Sequence, residues 1–591
     1  MARQGGERGS VRDISVLVGG KAGDGVLFTG NVLAWWLKRQ GWWAVTYRDF
    51  PSNIRGEATQ YIIRASLDPI ENRNDTVDVL LAFDCEAIQK HAMRLSDGGL
   101  VLCDGADAAL IPASAGSDLS SFAFPLRQPA RTHFGRDIFK NMIALGALGY
   151  LFGLELSHLE EIIRELYEKR KGEEVVQINL KAAAFGFEQG KKIVPEKERQ
   201  PLVKLPDEGR LIISGNEAIA LGALAAGCRF FAAYPICPAS EIWQWLAPRI
   251  KSFGGAVIQV EDELAALNMA IGASYAGARA MTSTSGPGAS LMMEAFSLAG
   301  MTETPVVIAH VQRVGPATGL PTKTQQGDIL QWVFGSHGEF PRVVLAPGSV
   351  EECFTFTIEA FNLAEKLQGP VVILTDLDLG QNLRTTPLLV ASDWRVERGK
   401  LLSSEEATNL KNFKRFALAE DGISPRIIPG TPKWAHLVES VEHDEFGWRS
   451  EDARIRAAMM EKRMRKIKAI ASDLIPPGLL GEPEASVGLI GLGSTRGPIL
   501  EAMKRLHQEG IKTKFLQVRT LWPFPAAEVK QFLASLRHLF VVENNYSGQL
   551  LTLLRSQVEV EAGLKIEGLR KYTPDNFIPE EIYRPVREAV A

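Results

Sequence analysis

The sequence predicts an α/β protein built from three doubly wound parallel-sheet domains. Three regions alternate nearly continuous apolar, β-branched strands with helical patterns, which is typical of parallel sheets covered on both faces. A length of 591 residues suits three or four domains at roughly 150 residues each. We expect these domains at residues 11–194, 210–393 and 485–591, with a linker at 195–209 and a connecting excursion at 394–484.

The first region begins with a strand, a tight turn and a helix. The strand-like ISVLV is followed by the glycine cluster GGKAGDG and by the helical pattern VLFTGNVLAWWLKRQG. Backbone N–H groups in such a loop, at the start of a helix, can form a nest that binds anions. Gly20, Lys21, Gly23 and Gly25 are therefore a candidate anion-binding loop.

In the second region, three consecutive acids follow a strand. Glu261, Asp262 and Glu263 end the strand VIQV and precede an Ala-rich helix. Acids at a helix start can cap free N–H groups and complement the helix dipole. Ligands of open parallel sheets bind at the carboxyl ends of strands, so one of these carboxylates is also a candidate functional group. The turn at 285–288 contains two glycines, which let the backbone approach a ligand closely.

The third region again alternates strand and helix, from SVGLIGLGST to HLFVVEN. Gly491 and Gly493 are similar to part of a dinucleotide-binding fingerprint. The third glycine is missing at the required offset, and Arg496 occupies the turn. The sequence therefore predicts no nicotinamide dinucleotide site in this region.

Composition excludes several other classes of protein. Hydrophobic residues make up 46% and charged residues 23%, which are ordinary values for a globular protein. The net charge of −4 and the absence of a long basic block predict that the chain binds no nucleic acid. The N-terminus lacks a secretory pattern and the most apolar stretch, 218–239, contains Arg229, so we expect a cytoplasmic protein without a membrane anchor. A basic cluster at 462–468 follows a helical pattern and is predicted to be a solvated helix face.

The sequence predicts no metal site on this chain. Five cysteines occur without any C-x-x-C pair, so they cannot hold an iron–sulfur cluster or a four-cysteine zinc site in one local loop. His443, Asp444 and Glu445 resemble metal ligands, but the remaining ligands are missing and a polar solvent loop is the better interpretation. If the protein transfers single electrons, the cluster belongs to another chain.

Several motifs together resemble one family. The runs YPICPASEI (234–242), EDELAALNMAIGASYAGARAMTSTSGPG (261–288) and HVQRVGPATGLPTKTQQGD (310–328) resemble the pyrimidine-binding domain of 2-oxoacid:ferredoxin oxidoreductases. GGKAGDGV with SNIRGE (52–57) is similar to the small gamma domain of that family, here fused ahead of the alpha part. The resemblance implies that the three regions are a gamma domain, a thiamine-diphosphate pyrimidine-binding domain and a transketolase C-terminal-like domain.

The resemblance also implies roles for individual residues. Glu263 would contact the aminopyrimidine of thiamine diphosphate, and a carboxyl group at the ring nitrogen promotes removal of the thiazolium C2 proton; Glu261 is the alternative carboxylate. Arg313 would hold the oxoacid carboxylate through paired hydrogen bonds. Lys323 would hold a distal carboxylate, which implies a dicarboxylate such as 2-oxoglutarate. The further cofactor-binding candidates are Tyr234, Pro235, Ile236, Cys237, Ser285 and Gly286.

Cys237 departs from the family pattern. The family usually has Thr at this position, where the hydroxyl is expected near cofactor and substrate. A thiol is a weaker hydrogen-bond donor, so either the bond is dispensable here or another group replaces it. We therefore assign Cys237 to the substrate and cofactor site without assigning it that bond.

The glycine-rich loop has two interpretations. Gly23, Asp24 and Gly25, with Asn53 downstream, formally fit the metal–diphosphate motif of thiamine enzymes. The surrounding residues fit the gamma domain better, and its relatives carry that motif on the partner subunit. We therefore favour an anion-binding loop for coenzyme A phosphates.

The resemblance implies the reaction and the assembly. The chain would be the alpha subunit of an enzyme that converts 2-oxoglutarate, coenzyme A and oxidised ferredoxin reversibly to succinyl-CoA, carbon dioxide and reduced ferredoxin. A beta subunit would carry Mg²⁺, the diphosphate site and a 4Fe–4S cluster in an (αβ)2 assembly. Alternatives are a pyruvate or broad-specificity enzyme, a self-contained thiamine-dependent decarboxylase, and a non-catalytic scaffold subunit.

Overall fold

The computed structural model describes residues 11–52, 56–105 and 118–590. The chain forms two compact units, one made of the described residues up to Ile213 together with Asn382–Leu388, and the other of Ser214–Gln381 together with the described residues from Leu389 onward. Each unit is described by itself.

The strands are β1 Asp13–Lys21, β2 Trp43–Asp49, β3 Ala58–Ser66, β4 Val77–Ala82, β5 Leu95–Cys103, β6 Ser120–Ala123, β7 Leu211–Ser214, β8 Phe230–Ala233, β9 Ala256–Gln259, β10 Ala280–Thr284, β11 Val306–Gln312, β12 Val343–Leu345, β13 Pro370–Asp376, β14 Leu383–Thr386, β15 Gly478–Gly481, β16 Val487–Gly491, β17 Thr513–Gln517, β18 Thr520–Trp522, β19 His538–Glu543 and β20 Lys565–Arg570. The helices are α1 Val26–Arg39, α2 Cys85–His91, α3 Arg127–Phe134, α4 Lys140–Phe152, α5 Leu156–Lys171, α6 Glu173–Ile193, α7 Gly215–Ala225, α8 Ser240–Ile250, α9 Glu263–Tyr275, α10 Gly286–Met301, α11 Ile329–Phe334, α12 Val350–Leu367, α13 Leu377–Gln381, α14 Ser404–Asn409, α15 Ala453–Ala469, α16 Arg496–Gln508, α17 Ala526–Leu533, α18 Gln549–Gln557 and α19 Glu580–Val590.

The first unit contains a sheet of order β6-β5-β4-β1-β3-β2-β14-β7. The pairs β1–β4, β4–β5 and β5–β6 are parallel, whereas β3 is antiparallel to both β1 and β2. The sheet is therefore parallel on the β6 side and antiparallel around β3. The segment between Asp49 and Ala58 is too short for the helical crossover that a parallel pair requires, so β2 and β3 pair in opposite directions.

Glycines bring two helices of the first unit into backbone contact. Every residue of α4 is buried. A Cβ on Gly146 of α4 would collide with the backbone oxygen of Ala183, and a Cβ on Gly186 of α6 would collide with that of Ile143. The α4–α6 pair therefore packs closely because each helix presents a glycine to the other.

The second unit contains two sheets, of order β18-β12-β13-β11-β10-β8-β9 and β15-β17-β16-β19-β20. In the first of these, β8 to β13 pair in parallel and β18 joins antiparallel to β12. In the second, β16 is parallel to both β17 and β19. The α/β fold with three mainly parallel sheets is confirmed.

The second and third regions share one core. Ile308 and Val372 of the seven-stranded sheet belong to the same buried apolar cluster as Leu492 and Leu516 of the five-stranded sheet. The strand β18 also carries the chain of the third region into the sheet of the second. These contacts hold the carboxyl ends of β10 and β11 in a fixed frame.

The basic cluster at 462–468 is not a solvated helix face. In α15, Lys462 and Lys466 are completely buried and their ammonium groups lie 2.6 and 2.5 Å from the carboxylate of Glu303. Arg463 is also buried and donates to Glu442. The prediction was wrong because Glu303 is distant in sequence, and a helical charge pattern does not reveal such a partner.

The loop around His443 also differs from the prediction. His443 is buried, and its ring packs against that of Phe416, with centroids 4.0 Å apart and the ring planes tilted by 46°. Asp444 accepts hydrogen bonds from the backbone N–H groups of Phe446 and Trp448, which closes a tight turn. Within the described ranges, no cluster of His, Cys, Asp or Glu is arranged to hold a metal ion. No helix in those ranges has the length and apolar character needed to cross a membrane.

Candidate active site

The three acids after β9 have three different environments. Asp262 caps α9 by accepting a hydrogen bond from the Ala265 N–H at 2.7 Å. Glu261 is exposed, whereas Glu263, the first residue of α9, is only 5% exposed. Burial raises the pKa of Glu263, and nearby Asp262 adds to this effect while Arg313 opposes it. The capping interpretation is therefore correct for Asp262, and the buried Glu263 stays the candidate functional carboxylate.

The turn after β10 brings the Glu263 carboxylate against the start of α10. A Cβ on Gly288 would stand 2.5 Å from Glu263 Oε1 and nearer still to Thr284 Oγ1. A Cβ on Gly286 would lie 3.7 Å from Nε of Arg313. The two glycines therefore leave room for a carboxyl group and a guanidinium at the same helix start.

Arg313 follows β11 and is held by backbone carbonyl groups. Its Nη1 donates to the Cys237 carbonyl at 2.6 Å, and its Nη2 donates to the Thr318 carbonyl at 3.2 Å. Burial lowers the pKa of Arg313, and the groups opposing that shift include Cys237 and Glu263. A guanidinium stays protonated in such a site, so a fixed positive charge faces the carboxyl ends of the strands.

The segment after β8 forms one wall near Arg313. Tyr234 and Pro235 are exposed, whereas Ile236 and Cys237 are half-buried. The next carbonyl, that of Pro238, accepts a hydrogen bond from the completely buried Asn216 at 3.0 Å. The structure therefore brings Cys237 to Arg313 through its carbonyl group.

Lys323 belongs to the same loop as Arg313. The Val314 N–H donates to the Lys323 carbonyl at 3.1 Å, which closes the loop between them. Lys323 is half-buried, and burial lowers the pKa of its ammonium while Asp575, from the third region, opposes that shift. Lys323 thus lies where the second and third regions meet.

The sequence pattern did not predict several polar residues that lie near Glu263. Among the described residues, several buried atoms at the ends of β10 and β11 have no hydrogen-bond partner: Thr282 Oγ1, Thr284 Oγ1, Ser285 Oγ, His310 Nδ1 and Arg313 Nε. An unpaired buried polar atom costs about 1–3 kcal/mol, so their concentration here indicates a polar ligand. The signal available in the sequence was the polar alternation of TSTS and the single histidine of HVQR.

These residues fit the polar ring of thiamine diphosphate. The cofactor's aminopyrimidine needs a carboxyl group, and Glu263 supplies a buried one. The unpaired hydroxyl of Ser285 and the free Nε of Arg313 are further hydrogen-bonding groups at the same edge. The roles of these residues stay predictions.

The glycine-rich loop of the first unit is tied down by ion pairs. Asp24 accepts from Lys140 at 2.7 Å and from Arg127 at 3.0 Å, and it also accepts from the Lys21 N–H. Gly25 has φ 84° and is the N-cap residue of α1. Asn53, the second half of the alternative metal–diphosphate motif, lies outside the described residues.

In the third region, the space beside Gly493 is occupied by side chains of the protein itself. A Cβ on Gly493 would lie 3.0 Å from Nε2 of Gln326 and 3.2 Å from Oδ2 of Asp376. The same Asp376 oxygen accepts from the N–H and hydroxyl groups of Ser494. The loop therefore directs its donors to a buried aspartate of the neighbouring sheet.

Three family models together match most of the chain. Residues 221–462 match "Pyruvate flavodoxin/ferredoxin oxidoreductase, thiamine diP-bdg". Residues 15–189 match "Pyruvate ferredoxin/flavodoxin oxidoreductase", and residues 485–572 match "Pyruvate:ferredoxin oxidoreductase core domain II". The thiamine-diphosphate-binding match covers the segment that contains Glu263 and Arg313.

Individual relatives match nearly the whole length. The chain is 32% identical to 2-oxoacid:ferredoxin oxidoreductase 2, subunit alpha, of Aeropyrum pernix, over 95% of this chain and 96% of that protein. It is 31% identical to 2-oxoglutarate oxidoreductase subunit KorA of Mycobacterium tuberculosis, over 99% of this chain and 93% of that protein. The solved 2-oxoglutarate:ferredoxin oxidoreductase from Magnetococcus marinus, with 2-oxoglutarate, coenzyme A and succinyl-CoA bound, matches with a TM-score of 0.91 and 34% identity, covering 98% of this chain and 100% of that chain. The resemblance seen in the sequence is confirmed, and this chain belongs to the 2-oxoacid:ferredoxin oxidoreductase family.

Proposed function

We propose that this chain is the alpha subunit of an enzyme that converts 2-oxoglutarate, coenzyme A and oxidised ferredoxin to succinyl-CoA, carbon dioxide and reduced ferredoxin, and that runs in both directions. The observation that carries the proposal is the buried carboxyl group of Glu263 beside Gly288, close enough to Arg313 for each group to affect the other's pKa. The choice of 2-oxoglutarate is supported by the Magnetococcus marinus and Mycobacterium tuberculosis relatives.

Glu263 would hold the pyrimidine ring of thiamine diphosphate. When bound, this cofactor supplies the carbanion chemistry of decarboxylation. Burial raises the pKa of Glu263, so its carboxyl group retains a proton more readily than an exposed one and can donate it to a ring nitrogen. The close packing of Glu263 against Gly288 restricts the movement of this carboxyl group.

Arg313 would hold the carboxylate of the 2-oxoacid. Its guanidinium is already oriented by the carbonyls of Cys237 and Thr318, so substrate binding would require little reorganisation of this side chain. Its Nε, which has no partner within the described residues, is an available donor. The Cys237 carbonyl therefore positions Arg313, a role that does not depend on the identity of the side chain at 237.

Lys323 would bind the distal carboxylate of a dicarboxylic substrate. Its ammonium group is half-buried and lies in the field of Asp575. A substrate carboxylate would add a second negative charge beside this cation, which favours 2-oxoglutarate over pyruvate. Pyruvate or a broad range of 2-oxoacids is the alternative substrate.

A second chain would complete the site. The helix faces beside Glu263 expose apolar side chains: Leu264 is 41% exposed, Met269 39% and Leu291 48%. Exposed apolar residues grouped beside a site are typical of a protein interface. We propose that a beta subunit covers this face and carries Mg²⁺, the diphosphate site and a 4Fe–4S cluster, in an (αβ)2 assembly that reduces ferredoxin.

The glycine-rich loop of the first unit would bind coenzyme A phosphates. Gly20 and Lys21 end β1, and Gly23 and Gly25 lead into α1, where backbone N–H groups favour anions. Lys21 pairs with Glu86 at 3.1 Å, and this contact raises the pKa of the lysine. The loop therefore presents a lysine that stays positively charged beside the helix start.

The proposal is tested on the complex co-purified with its partner subunit. Ferredoxin reduction is measured with 2-oxoglutarate and with pyruvate, for the wild type and for Glu263→Gln and Glu261→Gln. We expect preference for 2-oxoglutarate, loss of turnover by roughly a hundredfold or more in E263Q, and near-normal turnover in E261Q. Full activity in E263Q would overturn the catalytic assignment. Turnover by this chain alone would instead support the self-contained decarboxylase.

A further inference from the structure

Hydrogen bonds to four consecutive carbonyl groups fix the turn between β8 and α8. The Ile236 carbonyl accepts from the N–H and from the hydroxyl group of Ser240, both at 3.0 Å. The next three carbonyls accept from side chains of other segments: Arg313 on Cys237 at 2.6 Å, Asn216 on Pro238 at 3.0 Å and Ser283 on Ala239 at 3.4 Å. A turn in which each carbonyl has a donor keeps one orientation of its peptide planes.

The orientation of the Pro238 carbonyl is linked to that of the Cys237 carbonyl. The two peptide planes meet at the Cα of Pro238, where the ring holds φ at about −65°. Only ψ of Pro238 can therefore change the angle between them. A donor on the Pro238 carbonyl thus also restricts the Cys237 carbonyl, which orients Arg313.

Asn216, the donor to Pro238, is itself held in place. It is the second residue of α7, and its side chain is completely buried. The start of α7 is closed by a capping box between Ser214 and Glu217, so this turn of the helix is well anchored. Asn216 Nδ2 also lies 3.3 Å from Oε2 of Glu241, and Gln381 donates to Oε1 of the same carboxylate at 3.2 Å. The side-chain amide is therefore fixed from two sides.

The neighbours of Asn216 decide which end of its amide faces the turn. The Pro238 carbonyl and the Glu241 carboxylate are both acceptors, so the NH2 end must face them. On the other side, a Cβ at Gly380 would stand 2.9 Å from Asn216 Oδ1. Glycine at position 380 therefore leaves room for the oxygen, and the amide presents its donors to the turn.

We propose that Asn216 is a positioning residue that orients Arg313 for the carboxylate of the 2-oxoacid. Asn216 holds the Pro238 carbonyl, the proline transmits this restraint to the Cys237 carbonyl, and that carbonyl holds Nη1 of Arg313. In this role Asn216 affects the binding of the substrate and not the proton transfer at Glu263. The inference rests on the proposed role of Arg313 and adds the residue that orients it.

The test uses the complex co-purified with its partner subunit. Asn216→Leu keeps the shape of the side chain and removes its donors, and Asn216→Ala removes the same donors without placing methyl groups against the two acceptors. Thr357→Val is the matched control. Thr357 is completely buried, donates to the Cys353 carbonyl at 2.6 Å and packs against α7 at Gly222, away from the turn.

The readouts are kcat and KM for 2-oxoglutarate, from ferredoxin reduction, and the affinity for thiamine diphosphate by calorimetry. We expect N216L and N216A to raise KM about tenfold, with kcat and cofactor affinity within about twofold of wild type. T357V should leave all three quantities within about twofold of wild type. A higher KM at constant kcat is the result expected when a binding contact is weakened equally in the ground state and the transition state.

A double-mutant cycle with Arg313→Met separates positioning from a general loss of structure. If Asn216 acts through Arg313, N216A should lower kcat/KM by less than about twofold once Arg313 is replaced. Additive losses in the double variant would overturn the inference. A KM within about twofold of wild type in N216L and N216A, or an equal rise of KM in T357V, would overturn it as well.

The single variant R313M distinguishes this inference from the proposed function. A normal KM in R313M removes the role of Arg313 itself, and with it the reason to position this side chain. A raised KM in R313M together with a normal KM in N216A removes only the role of Asn216.

Discussion

Lys466 Nζ lies 2.5 Å from Oε2 of Glu303, and both side chains are completely buried. Lys462 and Arg415 surround the same carboxylate, so cations outnumber the acid in this cluster. Burial is the main cause that lowers the pKa of Lys466 to about 7; Lys462 and Arg415 contribute to this shift, and Glu303 opposes it. The cluster anchors α15 beside the end of α10, and it makes stability depend on pH.

The first prediction concerns stability between pH 7 and pH 10. Lys466 titrates near 7 when folded and near its ordinary value of 10.5 when unfolded. In that window the unfolded chain binds the extra proton, so stability rises with pH by at most about 1.4 kcal/mol per pH unit. Thermal midpoints of wild type and Lys466→Met, measured from pH 7 to pH 9, check this. The rise should be smaller in K466M, and parallel curves would contradict the assignment.

The second prediction concerns the close packing of α4 and α6. Gly146→Ala would place a Cβ against the backbone oxygen of Ala183, a group that cannot move aside cheaply. We expect a loss of about 1–3 kcal/mol in the free energy of unfolding, measured by urea titration. Gly272→Ala is the control, because a Cβ there meets open space and should be neutral or slightly stabilising. Equal stability of the two variants would contradict the packing argument.

The third prediction concerns Gly288. A Cβ at this position would displace either the Glu263 carboxylate or the Thr284 hydroxyl. Displacement of a positioned group by about 1 Å can cost roughly a hundredfold in rate, so Gly288→Ala should lower kcat by that order. Steady-state ferredoxin reduction by the complex measures this, with Gly272→Ala again as control. Activity of G288A within about twofold of wild type would show that turnover does not depend on the observed position of the Glu263 carboxylate.

The fourth prediction concerns substrate choice. Lys323→Met removes a half-buried cation in the field of Asp575. If Lys323 binds a distal carboxylate, kcat/KM for 2-oxoglutarate should fall by at least about tenfold. The value of kcat/KM for pyruvate should change by less than about threefold. Both substrates are assayed on the same preparation. An equal loss for both would assign Lys323 to the loop structure instead of to selectivity.

The sequence was sufficient for those parts of the protein that depend on local pattern. Alternating strand and helix patterns predicted the α/β class, and the runs around Glu263 and Arg313 predicted the family. The three acids at 261–263 were predicted to be a candidate site because a strand end followed by a helix start is visible in the sequence. The sequence alone could not distinguish Asp262, which caps the helix, from Glu263, which is buried.

Only the tertiary structure decided which polar groups meet across the fold. Lys462 and Lys466 were expected in solvent. They are buried because both ammonium groups form ion pairs with the carboxylate of Glu303, which follows a different helix. Thr284 and His310 became neighbours through the register of β10 and β11. Helix and strand periods predict which face a residue occupies, whereas burial of a charge or hydroxyl depends on partners supplied by distant segments. For that reason the sequence predicted the family, but it did not predict which polar groups surround Glu263.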